Sequence, residues 1–182
     1  MQTLDIPQAN DLDSVRAVVR AVAEDHASLV AVADFTGFSK RHARYRLHAA
    51  RVLGLVALTA DASRPAAPGL DRPAEVYLPT ALARRLLEAP LRSAAERGVY
   101  FDAINRSKAL QAIAPDLLAA SGPTVEALTD RLTELSDLSR ATAERRAGTL
   151  LAWRRRVLDI QPENHDREPS GVDGEPQQLD LF

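Results

Sequence analysis

Apolar residues recur along most of this chain at helical spacing, and one short stretch departs from it. Val15, Val18, Val19 and Val22 fall on one face of a helix that Asn10 or Asp11 can cap. Ser28 is placed to cap a short second helix carrying Leu29, Val32 and Ala33. The turn Thr36-Gly37-Phe38 follows, with Gly37 able to take a positive φ and Phe38 free to plug the corner. Ser39 then caps a third helix running to about Leu53, which Gly54 ends. The period changes at Leu55 to Thr59 and again at Glu75 to Leu78, two short apolar runs on either side of the Pro/Ala/Gly-rich segment 60–74. They predict a pair of strands.

Beyond the strands the helical period returns. Thr80 opens a helix with Leu82, Leu86 and Leu87, and Pro90 and Gly98 are expected to break it. Val99-Tyr100-Phe101 follows, with both aromatics expected in the core, and then a helix around Ala109 to Ile113. Thr124 caps a helix through Leu128 and Leu132. A shift of 100 residues aligns Phe38-Ser39 with Leu138-Ser139, Ala43 with Ala143, Arg46 with Arg146, Ala50 with Leu150 and Leu53 with Trp153. The turn and the long helix therefore occur twice, the second time with no second strand pair before residue 159. The fold class expected is mainly α: a tandem winged helix-turn-helix with a small β-wing and a disordered C-terminal tail. Its divisions are a first winged helix over 1–80, a helical linker and degenerate second copy over 81–158, and an acidic tail over 159–182.

Charge sharpens this picture. Residues 159–182 hold seven acids and one base, a charge of −6, so the formal −2 of the 182-residue chain conceals a body of +4. With three Pro and two Gly, the tail is not expected to fold alone. The third helix is the opposite case. Residues 39–51 carry Lys40, Arg41, Arg44, Arg46 and Arg51 and no acid. On a helical wheel Ala43, Leu47 and Ala50 form the buried stripe; Arg41, His42, Tyr45 and His48 point away from it, flanked by Lys40, Arg44 and Arg51. Such a face suits a major groove, with Arg reading guanine and Lys or Tyr holding phosphate. Ser39, Lys40, Arg41, His42, Arg44, Tyr45, His48 and Arg51 are the expected DNA-binding residues. Arg46 is read as structural, paired with Asp34. In the second copy the outward face of Thr142, Arg145, Gly148 and Thr149 is poorer, with Glu144 nearby. Arg145 joins the DNA-binding set; it, Arg140 and Arg154 to Arg156 serve phosphate contacts, or the second copy serves packing and homodimerisation.

Several chemistries find no footing. With no Cys there is neither a disulfide framework nor a thiolate zinc site. His26, His42, His48 and His165 lack a metal-ligand spacing, and no Gly-rich phosphate loop is present. No cofactor or metal is expected. No apolar run is long enough to span a bilayer, so the expectation is a soluble cytoplasmic protein, nucleoid-associated, with no membrane partner.

The segments "IPQANDLDSVRAVV", "FTGFSKRHARYRLHAARVLGLV" and "LSRATAERRAGTLLAW" resemble the paired winged-helix module found at the start of some type II restriction endonucleases. The resemblance spans about residues 4 to 160. In that family a nuclease of the Asp…(Asp/Glu)-x-Lys type commonly follows. Here the two lysines, Lys40 and Lys108, are preceded two residues earlier by Phe38 and Arg106, so neither completes that motif. The resemblance implies DNA recognition without cleavage. The final residues, Gln178-Leu179-Asp180-Leu181-Phe182, resemble the pentapeptide by which bacterial polymerases and mismatch-repair proteins dock on the DNA sliding clamp. All five positions agree with that pattern. Together these readings point to a non-enzymatic double-stranded DNA-binding adaptor that docks on the sliding clamp in replication-linked repair or defence. The alternatives are a transcription regulator or restriction-system specificity factor, and a helical interaction module that does not touch DNA.

Overall fold

The computed structural model of the chain describes residues 6–61 and 74–160. Three helices come first: α1 over Leu12–Ala23, α2 over Leu29–Thr36 and α3 over Lys40–Val52. Strands β1, Val56–Asp61, and β2, Ala74–Pro79, then pair antiparallel with Val56 opposite Pro79 and Asp61 opposite Ala74. Helices α4 (Ala81–Glu88), α5 (Ala94–Arg106), α6 (Lys108–Ile113), α7 (Val125–Leu135) and α8 (Arg140–Leu158) complete the described part. It is mainly helical with one small sheet, and the helices begin where short polar side chains can cap them. Asp11 rather than Asn10 caps α1, its carboxylate accepting from the backbone N–H groups of Asp13 and Ser14. Ser28, Ser39, Thr80, Ser93 and Thr124 do the same for α2, α3, α4, α5 and α7. Gly37 ends α2 at φ 70°, a conformation that costs an L side chain energy, and so fixes the turn into α3.

The two strands are slightly longer than their apolar runs, because the ladder continues to Asp61 and Ala74 into the Pro/Ala/Gly-rich segment. Thr80 bolts this hairpin to the helices: its hydroxyl donates to the carbonyls of Gly54 (2.8 Å) and Leu55 (3.0 Å) and accepts from Ala83 N. Tyr77 N in β2 donates to Ala27 O, which ties the hairpin to the loop before α2.

Two expectations are corrected between the copies. Pro90 does follow the end of α4, but Gly98 lies inside α5 and breaks nothing. A mid-helix Gly costs about 1 kcal/mol, and the burial of Val99, Tyr100, Ala103 and Ile104 along one face of α5 outweighs it. A Cβ at Gly98 would meet no atom within 4 Å. Gly98→Ala is therefore expected to stabilise the protein by about 0.5–1 kcal/mol, read as a raised midpoint in urea unfolding; a lowered midpoint would contradict the packing described. Phe101 is the second correction. Tyr100 is fully buried, its hydroxyl donating to Leu12 O at 3.0 Å, whereas Phe101 is 40% exposed. Val99 and Tyr100, with Ala103 and Ile104 one turn on, already define the core-facing stripe of α5, and Phe101, about 100° further round the helix from Tyr100, falls outside it.

One continuous core joins the two copies, running from Ile6 through α1, α3, α5, α7 and α8 to Val157. The internal repeat is visible in its burial: Ala43 and Ala143, Leu47 and Ala147, Ala50 and Leu150, and Leu53 and Trp153 are all inside. Trp153 is fully enclosed and donates from Nε1 to Ala9 O at 2.8 Å, which fastens the segment before α1 onto α8. Among the described residues no strand follows α8.

A charged node locks the same elements together. Glu96 of α5 is fully buried; it accepts from Arg16 Nη1 of α1 at 2.6 Å, from Arg92 N at 2.7 Å and from Arg156 Nη2 of α8. Arg16 also donates to Ala89 O, and Asp13 accepts from Arg92 and Arg156. Burial acts to raise the Asp13 pKa, but the hydrogen bonds and charges of Arg92 and Arg156 prevail and hold it below its ordinary 3.8. A depressed carboxylate contributes stability that is present above its unfolded pKa and lost as pH falls through the folded value. Thermal melts taken from pH 6 down to pH 3 should therefore show a smaller acid-induced drop for Asp13→Asn than for the native chain; identical drops would contradict this contribution.

Candidate nucleic-acid interface

Helix α3 begins unlike a helix optimised for its own stability. Its first turn carries Lys40 and Arg41 and no acid, although cations there oppose the helix dipole at a cost of about 0.3–1 kcal/mol each. An anion bound at this end would reverse that penalty. Ser39, whose Oγ caps the helix through His42 N, is exposed, as are Lys40, Arg41, His42, Arg44 and Arg51. Tyr45 and His48 are half-buried. The buried stripe is Ala43, Leu47, Ala49 and Ala50. Arg46 does not pair with Asp34, which is exposed. Its guanidinium lies 4.4 Å over the Phe38 ring and donates to His42 O, so it is held within its own corner by stacking.

Arg41 is pre-positioned. Its Nε donates to Tyr45 Oη at 2.9 Å and its guanidinium lies 5.6 Å from the centre of that ring, leaving the terminal nitrogens available. Arg41 borders a cleft of about 610 Å³ between α3, α8 and the segment before α1. Gln8, Asn10, Thr142, Arg145, Arg146 and Arg155 also line it, and among the described residues no acid does. Arg145 and Arg155 are exposed; Arg145 donates to Thr142 Oγ1 at 3.2 Å. Arg146 is buried at the floor, donating to Ile6 O and, with the Gln8 amide oxygen turned toward it, to Gln8 at 3.0 and 2.7 Å. Burial lowers its pKa, with Tyr45 opposing and the charge of Arg145 acting in the same direction as burial.

The arginines of the second copy thus divide by partner. Arg140 is paired with Asp130, Arg154 donates to the carbonyls of Ala119 and Ala120, and Arg156 is held by Glu96 and Asp13. Arg145 and Arg155 remain for the cleft. Sequence reasoning brought forward Arg41 and Arg145 without any signal that they meet. It missed Gln8 and Asn10, which lie 33 and 31 residues before Arg41 in the chain and reach the site only because the segment before α1 packs on α8.

At the other end of α3, Arg51 and the half-buried His48 line a second cavity, of about 650 Å³. Tyr77 of β2 stands near Arg51 and Arg44; burial pushes its hydroxyl above the ordinary value despite both positive charges. The peptide Gln178-Leu179-Asp180-Leu181-Phe182 lies outside the described residues. Among the described residues no three His, Asp or Glu side chains come together as metal ligands, and no helix is long and apolar enough to cross a membrane. The chain matches no family model, no curated protein and no solved structure with which it was compared.

Proposed function

We propose that the chain is a non-enzymatic adaptor that holds double-stranded DNA through its helical body and docks on a bacterial sliding clamp through Gln178, Leu179, Asp180, Leu181 and Phe182. The three helices and hairpin over residues 12–79 are read as a winged helix-turn-helix, and α7–α8 as its degenerate copy. The observation that carries the DNA reading is the cleft, without an acid among its described lining residues, that Arg41 of α3 shares with Arg145 and Arg155 of α8. Exposed guanidinium groups gathered without counter-charges suit phosphate, which Arg can grip bidentately. Lys40 and Arg41 against the dipole of α3 support the same partner. The clamp reading rests on the terminal pentapeptide and on the tail of −6 charge that would tether it.

Binding of the full chain to a short duplex and to purified clamp, separately and together, tests both halves. Duplex affinity should fall on a log–log salt plot with a slope of about −3 to −5, as for a few neutralised phosphates. Salt-insensitive or absent binding would remove the DNA reading. Leu181→Ala with Phe182→Ala should abolish clamp binding, since burying those two side chains supplies about 3–6 kcal/mol, and should leave short-duplex affinity unchanged. Clamp binding that survives the double substitution would refute the docking assignment.

A further inference from the structure

The cavity at the C-terminal end of α3 has walls from five elements. Arg51 of α3, Leu58 of β1, Thr80 and Leu82 beside and in α4, and Arg106 and Lys108 at the α5–α6 junction border its 650 Å³. Like the cleft at the other end, it has no acid among the described residues that line it. Arg106 is the last residue of α5 and Lys108 the first of α6, with only Ser107 between them. Ser107 is buried and caps α6 through Leu110 N, so the chain turns there on a fixed point and presents both cations beside Arg51. Arg51, Arg106 and Lys108 are exposed, and no ion pair with a described residue holds any of them. Arg106 in a last helical turn complements the helix dipole, but Lys108 in a first turn opposes it, so helix stability does not account for the pair.

The spacing of the two basic sites matters. Arg41 and Arg51 are ten residues apart on one helix, about 15 Å along its axis. A B-form major groove is about 12 Å wide, and its two rims are lines of phosphates. A helix seated in such a groove lies between these rims, so basic residues at either of its ends have phosphates within reach.

We propose that the Arg51–Arg106–Lys108 cavity is a second phosphate-holding site for the same duplex that the Arg41–Arg145 cleft engages. It rests on the DNA-binding reading above and adds Arg106 and Lys108, from the junction between α5 and α6, to the contact surface. These residues act on the backbone and carry no sequence preference.

Titrating a fluorescent 20-base-pair duplex with the full chain across salt concentrations tests the assignment. Arg106→Ala with Lys108→Ala should weaken binding about ten- to a hundred-fold near physiological salt. It should also flatten the log–log salt slope by about 0.9 for each phosphate no longer neutralised. The loss should be equal on duplexes of unrelated sequence, and Arg106→Lys with Lys108→Arg should restore the native slope. Both side chains are exposed, so thermal melts of the variants should match the native chain; for a variant that melts early, the lysine–arginine exchange carries the test. If the native chain binds duplex with a salt-dependent slope and the alanine variant does the same, the second site is overturned while the DNA reading stands. A variant that keeps duplex affinity but no longer binds a peptide of residues 161–182 would assign the cavity to the acidic tail instead. If the native chain binds no duplex at any salt concentration, both the site and the reading beneath it fall.

Discussion

Replacing Glu96 by Ala is expected to destabilise the protein by about 3–5 kcal/mol, the cost of stranding the partners of a buried ion pair. For a body of this size that corresponds to a fall in Tm of about 6–20 °C. The carboxylate is fully buried and is the common acceptor for Arg16, Arg156 and the backbone of Arg92. Without it Arg16, itself 6% exposed, keeps only the carbonyls of Leu87 and Ala89 for a full positive charge. Glu96→Gln should cost nearly as much, because an amide fills the space but cannot balance two guanidinium groups. The decisive comparison is Glu96→Met with Arg16→Met. If the damage comes from the stranded charge, removing both partners should recover a large part of the loss, as apolar replacements of buried pairs often do. A single substitution of Glu96 that leaves Tm within about 2 °C of the native value would show that the node contributes little.

The second large effect concerns the cleft. Arg41→Ala and Arg145→Ala should each weaken duplex binding about tenfold or more, since a charge-assisted hydrogen bond to phosphate contributes about 1.5–3 kcal/mol. The sequence ranks Arg145 well below Arg41, because its helix face includes Gly148 and an adjacent Glu144. Their placement around one cavity makes the expected losses comparable. Each substitution should also reduce the salt slope by about 0.9. Tyr45→Phe removes only the hydroxyl that receives Arg41 Nε, so it should weaken binding by less than Arg41→Ala while leaving the salt slope unchanged. A strong loss from Arg41→Ala with none from Arg145→Ala would separate the two helices functionally and restore the sequence-based ranking.

Most of the helical architecture is local chemistry and could be read from the chain. Caps at Ser28, Ser39, Thr80 and Thr124, and the Gly37 turn, depend on contacts within four residues, so residue type and order suffice to place them. The 100-residue repeat was legible for a related reason: matching positions face the same side of equivalent helices, and burial preserves the pattern. Misreadings occurred where a local rule met a tertiary demand. Gly98 signals a break, yet the buried face of α5 carries the helix through it. Adjacent Tyr100 and Phe101 look alike in composition, and helical geometry sends one inward and one out.

What no local rule contains is which charges meet across the fold. Arg140, Arg145, Arg154, Arg155 and Arg156 are equivalent as letters on one helix. Their fates differ because Asp130, the carbonyls of Ala119 and Ala120, Glu96 and Asp13 arrive from other elements, neutralising Arg140 and Arg156 and hydrogen-bonding Arg154. Residue type settled which helix faces are basic. Only packing could decide which cations meet an acid or a carbonyl, because pairing depends on distance in space, and the acids and carbonyls that satisfy these arginines stand 10 to 143 residues away along the chain.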